Sequence, residues 1–503
     1  MRSFLVLGLV GALGFLGGCG SSGTPAGIAV TISLSPTSAS VNAGGTVNIV
    51  ATVANDSSGK GVSWSSTGVG KLSGITATGV TYNAPPTVTN TSVATVVATS
   101  VASPTVTASL QITVSPVGSQ VNVVPISVNG GPLVTATQPS IYPNGAFVSV
   151  QICVPNTSTC QTIDGVLVDT GSFGLRLLSS AVTIPLVPLT DSSNNTLYDC
   201  IQFLDGSFLW GTVAPANIVM AGEVANSTSI QVIANPGFTI PGGCAGTGTN
   251  EDTLAQLGAN GILGVGPEPF DCGAACDPID DGGNPPQGAY YLCSSGGTCN
   301  PASVSCGAIC SAQETAPNQQ VTNPVFNFAT DNNGVILELP AVNDVAATVD
   351  GVMIFGIGTQ SNNPLPSTAT VFTLNTSDNF TTNFNGQSLT GSFIDSGSNG
   401  LFFPDGSLSV CSDSKTWYCQ AQSNLSATNV DPNNGATTNT VVFSVDDFDT
   451  VTAANPTDAA FSNLAGPNAG GFDWGLPFFY GRNVYTAING TMVGTTPGPF
   501  WAY

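Results

Sequence analysis

The chain has no histidine, and its absence excludes every chemistry that depends on an imidazole. Basic residues are nearly as scarce: six Lys and Arg stand against 29 Asp and Glu, for a formal charge of -23. With no basic stripe to neutralise phosphates, nucleic acid is excluded as a partner. Charged residues of both signs make up only 7% of the chain, so most of the surface must be Ser, Thr, Asn, Gln and Gly. A weakly charged, hydroxyl-rich surface of this kind fits a secreted β-protein. Beyond the N-terminal segment, no apolar run is long enough to span a bilayer. What the chain does have is length: 503 residues suffice for several domains, or for one large two-lobed unit with an ample core.

Residues 1–18 carry one early charge, Arg2, and an apolar run from Phe4 to Phe15 that is too short for a membrane span. The run ends in Leu16-Gly17-Gly18-Cys19, so it reads as a signal peptide. Leu-Gly-Gly-Cys resembles a bacterial lipobox, which implies cleavage before Cys19 and lipidation of its thiol. Gly20 follows where the sorting pattern would place Asp, which points to an outer-membrane lipoprotein of the cell envelope, held to the membrane through Cys19. Setting Cys19 aside leaves an even number of the 13 cysteines, all between Cys153 and Cys419, as expected of a disulfide framework in an exported chain. Cys153 with Cys160 and Cys411 with Cys419 read as local hairpin staples. The cluster Cys272, Cys276, Cys293, Cys299, Cys306 and Cys310 has spacings that would also suit zinc, but without histidine and in an oxidising compartment disulfides are expected and no metal. Its connectivity stays open.

A flexible Gly/Ser linker at 19–27 leads into residues 28–116, where Val, Thr and Ser alternate with period two between Gly, Asn and Pro turns. Ala43-Gly44-Gly45, Val62-Ser63-Trp64 and Ser109 to Val114 resemble bacterial Ig-like domains, with Trp64 as core filler and a spacer as the default role. From residue 121 the pattern remains β-rich. Ala146 to Cys153 alternates, turns through Pro155 to Ser158, and returns as Cys160 to Val168 straight into Asp169. The fold class expected is therefore all-β: an N-terminal sandwich followed by a second, larger β-unit.

Two stretches carry the chemistry: Val166-Leu167-Val168-Asp169-Thr170-Gly171-Ser172 and Ser392-Phe393-Ile394-Asp395-Ser396-Gly397-Ser398. Each delivers an Asp from an apolar strand into a tight Gly turn, where small hydroxyls can hydrogen-bond the acid. Two carboxylates brought together can share a proton, one member acting as base and the other as acid, with no metal and no covalent intermediate. The agreement extends beyond the turns. Gly165 aligns with Gly391, Gly174 with Gly400 and Leu175 with Leu401, so the chain contains a duplicated unit.

With these residues the chain resembles the pepsin-like aspartic peptidases, whose two lobes each contribute one Asp-Thr/Ser-Gly turn to a dyad in the cleft between them. The resemblance implies an N-lobe at 121–345, with a Cys-rich insert at 267–323, and a C-lobe at 346–503, together a bilobal double β-barrel. Gly261-Ile262-Leu263-Gly264 and Asp473-Trp474-Gly475 match the apolar-apolar-Gly strands that back the two turns, although Asp473 is unusual in its slot. Residues 201–207 match the flap hairpin, with Phe203 where the family has Tyr and Gly206 at the tip; Arg176 stands where the Trp that partners that Tyr is usual. By the same resemblance Asp169 and Asp395 would bind the nucleophilic water, Ser172 and Ser398 would hydrogen-bond the outer carboxylate oxygens, and Thr170 and Ser396 would link the two loops. Gly171 and Gly397 complete the turns. The implied activity is endopeptidase cleavage of a peptide or protein by a monomer that needs no cofactor; no basic prosegment precedes residue 121. The alternative is a non-catalytic surface binding protein or adhesin using the same cleft.

Overall fold

The computed structural model describes residues 29–36, 39–85, 88, 92–115, 122–134, 142–234, 238, 240–245, 248–278, 289–294 and 309–503. The expected signal peptide and Cys19, and with them Cys299 and Cys306, lie outside the described residues. The fold is all-β and barrel-containing, and the chain divides into two compact units, Met1–Pro116 and Val117–Tyr503.

The first unit is a sandwich of two four-stranded sheets. One runs in the order Thr31–Ser35, Thr46–Ala54, Gly79–Asn83, Lys71–Ser73; the other in the order Ala39–Asn42, Thr107–Ser115, Ser92–Ser100, Val62–Gly68. Period-two alternation places Ile49, Ala51, Val80, Val96, Leu110 and Ile112 between the sheets. The centre is filled by Tyr82, fully buried with its hydroxyl donating to Val69 O, and not by Trp64. Trp64 is only half-buried: its indole packs against the core and its N–H donates to Thr76 O, the partner that an indole needs.

In the second unit the expected hairpin forms with Ala146–Cys153 antiparallel to Cys160–Asp169, closed by a Cys153–Cys160 disulfide. The last residues of the returning strand are buried on both faces, and this is why Val166-Leu167-Val168 reads as an unbroken apolar run rather than an alternation. Gly261–Val265 lies parallel to this strand, with Asp169 opposite Gly264, and Phe173–Leu178 pairs antiparallel to the other edge of Gly261–Val265. Phe173–Leu178 then pairs in parallel with Glu223–Ile233.

The same connectivity recurs in the second half. Asp473–Trp474 lies parallel to Gln387–Ile394, Leu401–Phe402 pairs antiparallel to Asp473–Trp474, and Leu401–Phe402 pairs in parallel with Ala465–Gly466. The duplication read from the sequence is thus a duplication of strand topology. Aromatic packing fixes the second copy: Phe472 stacks on Trp474 at 3.9 Å and on Phe403 at 4.8 Å, and the buried Trp474 indole donates to Asn429 Oδ1. Val123–Val128 joins the halves, pairing with Ala146–Cys153 on one side and Val349–Phe355 on the other.

The cysteine-rich insert extends the sheet that carries the flap position. Ile309–Ala312 pairs with Tyr290–Ser294, which pairs with Thr196–Gln202, the strand that enters the 201–207 turn. Disulfides Cys293–Cys310, Cys200–Cys244, Cys272–Cys276 and Cys411–Cys419 accompany Cys153–Cys160.

Arg176 is fully buried in this half. Its guanidinium pairs with Asp199 and with Asp271 at 2.8 Å and donates to Gln231 Oε1 at 3.0 Å, while Tyr290 donates to the other oxygen of Asp271. One cation therefore ties Phe173–Leu178 to Thr196–Gln202, Glu223–Ile233 and the insert, which is why an arginine stands in an otherwise apolar strand. Replacing Arg176 by Met leaves two buried carboxylates without their cation. Urea unfolding of R176M should show a loss of about 3–5 kcal/mol, far more than an exposed ion pair would cost.

Candidate active site

Each Asp turn is organised by its own backbone. Gly171 N–H donates to Asp169 Oδ1 at 2.8 Å and Gly397 N–H donates to Asp395 Oδ1 at 2.7 Å. The outer oxygens take hydroxyls: Ser172 donates to Asp169 Oδ2, and Ser398 Oγ lies 2.8 Å from Asp395 Oδ2. An apolar strand pushes each acid to the buried strand end, and the Asx-type bond to the glycine N–H two residues on holds its rotamer.

The two turns clasp each other through an exchange of four hydrogen bonds. Thr170 Oγ1 donates to Ile394 O at 3.0 Å and accepts from Ser396 N–H at 2.9 Å. Reciprocally, Ser396 Oγ donates to Val168 O at 2.8 Å and accepts from Thr170 N–H at 3.1 Å. Both residues are fully buried. The clasp brings the carboxyls of Asp169 and Asp395 into hydrogen-bond contact. It also explains the glycines. A Cβ at Gly171 would lie 2.5 Å from Asp395 Cγ, and one at Gly397 would lie 2.7 Å from Asp169 Cγ, so neither turn could carry a side chain and let the other acid approach.

Two carboxyls this close cannot both ionise. Burial, and then the Asp395 carboxyl, push Asp169 well above the ordinary carboxylate range, against the opposing pull of Ser172 and the Gly171 N–H. The proton belongs to the pair, which titrates as a unit. Asp169 is 7% exposed whereas Asp395 is half-buried, so solvent reaches the pair mainly at Asp395.

The turn at 201–207 connects Thr196–Gln202 to Phe208–Met220. Gly206 sits there at φ +88°, and Asp205 accepts from Ser207 N–H and Oγ–H, so the tip is a well-formed turn. Phe203 packs against an apolar cluster that includes Leu167 and Ile262. Tyr142, which the sequence pattern did not single out, packs against that same cluster. Burial, followed by the charges of Asp169, Glu251, Asp395 and Asp205, drives its phenol upward. Tyr142 is thus a neutral hydroxyl within electrostatic reach of both the pair and the acids around the turn. Glu251 is pushed up to about 7 by burial and Asp205. Close by in sequence, the buried Asn144 donates to Asn399 O and Phe461 O and accepts from Tyr480 OH, a second clasp between the halves.

The structure brings Asp169, Thr170, Gly171, Ser172, Asp395, Ser396, Gly397 and Ser398 together. Arg176 is not among them, since its guanidinium is spent on Asp199 and Asp271. A third acid joins the group. Asp473, 7% exposed, has Oδ2 2.7 Å from Ser398 Oγ, at the register that Ile262 holds in the first half. The signal for it was an acid inside a buried apolar strand; for Tyr142, far upstream of either turn, there was none.

Residues 118–503 match a family described as a protein of unknown function, DUF3443. The chain belongs to the DUF3443 family. The match begins after the N-terminal sandwich and takes in both Asp turns, the 201–207 turn and Asp473, so within DUF3443 the site lies wholly inside the family's own domain. No curated sequence matches the chain. Among solved structures, a DUF4784 family protein from Bacteroides caccae is similar over 58% of this chain and 86% of that one, at 10% identity and a TM-score of 0.13, a score too low to carry an argument.

Replacing Thr170 by Val keeps the shape but removes a donor to Ile394 O and an acceptor for Ser396 N–H. We expect a loss of about 1–3 kcal/mol by thermal or urea unfolding. Combined with Ser396→Ala, the total should fall short of the sum, because the two hydroxyls serve one clasp.

Proposed function

We propose that this protein is an aspartic endopeptidase with a bilobal, pepsin-like arrangement, acting on peptide or protein substrates in the bacterial cell envelope. The observation that carries the reading is the reciprocal packing of the two glycine turns. It holds Asp169 and Asp395 in contact, each with its outer oxygen on a serine. A structural duplication needs no pair of acids at its centre, and holding them there costs electrostatic repulsion.

In this reading a water sits between the carboxyls. The ionised member of the pair takes its proton as it attacks a peptide carbonyl, while the protonated member donates to the carbonyl oxygen. The tetrahedral diol collapses when the leaving nitrogen is protonated, and the pair returns to its one-proton state. The upward displacement of Asp169 keeps that shared proton available above the usual carboxylate range. Activity should therefore extend above the pH at which an ordinary carboxyl ionises, and fall once the pair loses its proton, as a kcat/KM profile against pH would show. Lipid attachment at Cys19 would hold a monomer at the outer membrane, with the N-terminal sandwich as spacer.

The second reading, a non-catalytic binding protein or adhesin with the same cleft, is favoured by one observation: Phe203 removes the hydroxyl from the turn that would cover a substrate.

Purified wild type, Asp169→Asn and Asp395→Asn should be compared on an unfolded protein between pH 3 and 7, with and without a statine-type inhibitor. Cleavage by the wild type that disappears in both variants and with inhibitor is expected; cleavage that survives either substitution would sink the dyad. Silence from well-folded wild type would favour the binding module.

A further inference from the structure

The hydroxyl of Ser398 has one hydrogen and two carboxyl oxygens to serve. Its Oγ lies 2.8 Å from Asp395 Oδ2 and 2.7 Å from Asp473 Oδ2. A serine cannot donate to both, so one of the two acids must itself bring a hydrogen to the contact. Asp473 is the better holder. Its Oδ1 is buried with no hydrogen-bond partner, which a neutral carboxyl tolerates far better than a carboxylate. Its strand lies between Gln387–Ile394 and Leu401–Phe402, and the only titratable group at the ends of those strands is Asp395. The following turn, Leu476–Phe479, is wholly apolar, and Asp169 acts on Asp473 from the other half. The charges that act on Asp473 are the acids Asp395 and Asp169, whereas Arg482, behind that turn, is engaged by the Phe478 ring and carbonyl.

We propose that Asp473 is a positioning residue that holds its own proton and donates it to Ser398, thereby locking the Ser398 hydroxyl as a donor to Asp395. The hydrogen-bond chain then has one polarity: Asp473 O–H to Ser398 Oγ, and Ser398 O–H to Asp395 Oδ2. Burial, and after it the Asp395 charge, raise Asp473 well above the ordinary range, in agreement with the geometry. The first half has no counterpart, because Ile262 occupies the same register and Ser172 serves Asp169 alone. Asp473 thus makes the two members of a symmetric pair chemically unequal. Its role in catalysis rests on the peptidase reading above; the location of its proton does not.

The consequence for pH has a definite sign. A carboxyl whose folded value is raised keeps a proton that the unfolded chain has released, so its contribution to stability is intact below about pH 4 and declines as pH rises toward the folded value. Ionisation of Asp473 would also leave Ser398 with two acceptors and one hydrogen, and place a new negative charge beside Asp395.

The test uses the purified full chain as wild type, Asp473→Asn, which keeps a donor but never ionises, and Asp473→Ile, which restores the first-half residue. Infrared difference spectra near neutral pH should show a protonated-carboxyl band in the wild type that Asp473→Asn lacks, and the melting temperature of the wild type should fall relative to either variant as pH rises above about 4. On an unfolded protein substrate, Asp473→Asn should carry the alkaline limb of the rate profile upward by about one pH unit or more, while Asp473→Ile, having lost the donor, should lower kcat about tenfold with KM little changed. An unchanged carboxyl band, a melting difference independent of pH, or superposable rate profiles would overturn the proposal. If no form cleaves while the spectral and melting differences are present, the peptidase reading fails and the proton remains assigned to Asp473.

Discussion

Two carboxyl groups held in contact inside a protein repel unless one stays protonated, and the structure around Asp169 and Asp395 is arranged to keep them there. Thr170 and Ser396 supply the restoring force, each reaching into the backbone of the other half. Without that clasp the turns could relax apart. Glycine at 171 and 397 removes the only steric reason for separation. The strand ladders behind the turns, with Asp169 opposite Gly264 and Ile394 opposite Trp474, give the clasp a rigid base. The Val123–Val128 strand, shared by the two halves, resists their drifting apart on a longer scale.

Much of this was legible in the sequence because the signals were local and doubled. The 146–169 hairpin announced itself by alternation, a polar turn and flanking cysteines, and both disulfide staples read from close spacing form. The backing strands were legible from Gly264 and Gly475, since such glycines answer to close approach: a Cβ on Gly264 would meet Phe173 N at 2.6 Å, and one on Gly475 would run into Gly400 O. What escaped was long-range. Arg176 reads as a lost aromatic partner until Asp199 and Asp271, distant in sequence, are placed beside it. Trp64 looks like the natural filler of a small sandwich, and only the position of Tyr82 shows that the space is taken. Tyr142 packs in from the start of the domain, and no spacing rule connects it to the turns; Asp473 showed as an odd acid in a backing strand, but its bond to Ser398 is long-range.

The insert follows the same logic of support from outside. Its hairpin widens the sheet from which the 201–207 turn projects, and disulfides pin that sheet at Cys200–Cys244 and Cys293–Cys310. The turn is tied down as well: Phe203 N–H donates to Ser207 O, Asp205 caps Ser207, and the Gly206 carbonyl lies against the Gly248 backbone.

The burial of Arg176 has a consequence for resistance to proteolysis. The second unit contains only three basic residues, Arg176, Lys415 and Arg482, and of these only Lys415 is exposed; Arg176 is sealed in its ion pairs and Arg482 lies partly buried over the Phe478 ring. Proteases that cut after lysine or arginine therefore find one fully exposed basic residue, Lys415, on the folded surface of this unit. The scarcity of positive charge, which at first only excluded partners, also leaves this unit poor in such cleavage sites, whereas the first unit presents Lys60 and Lys71.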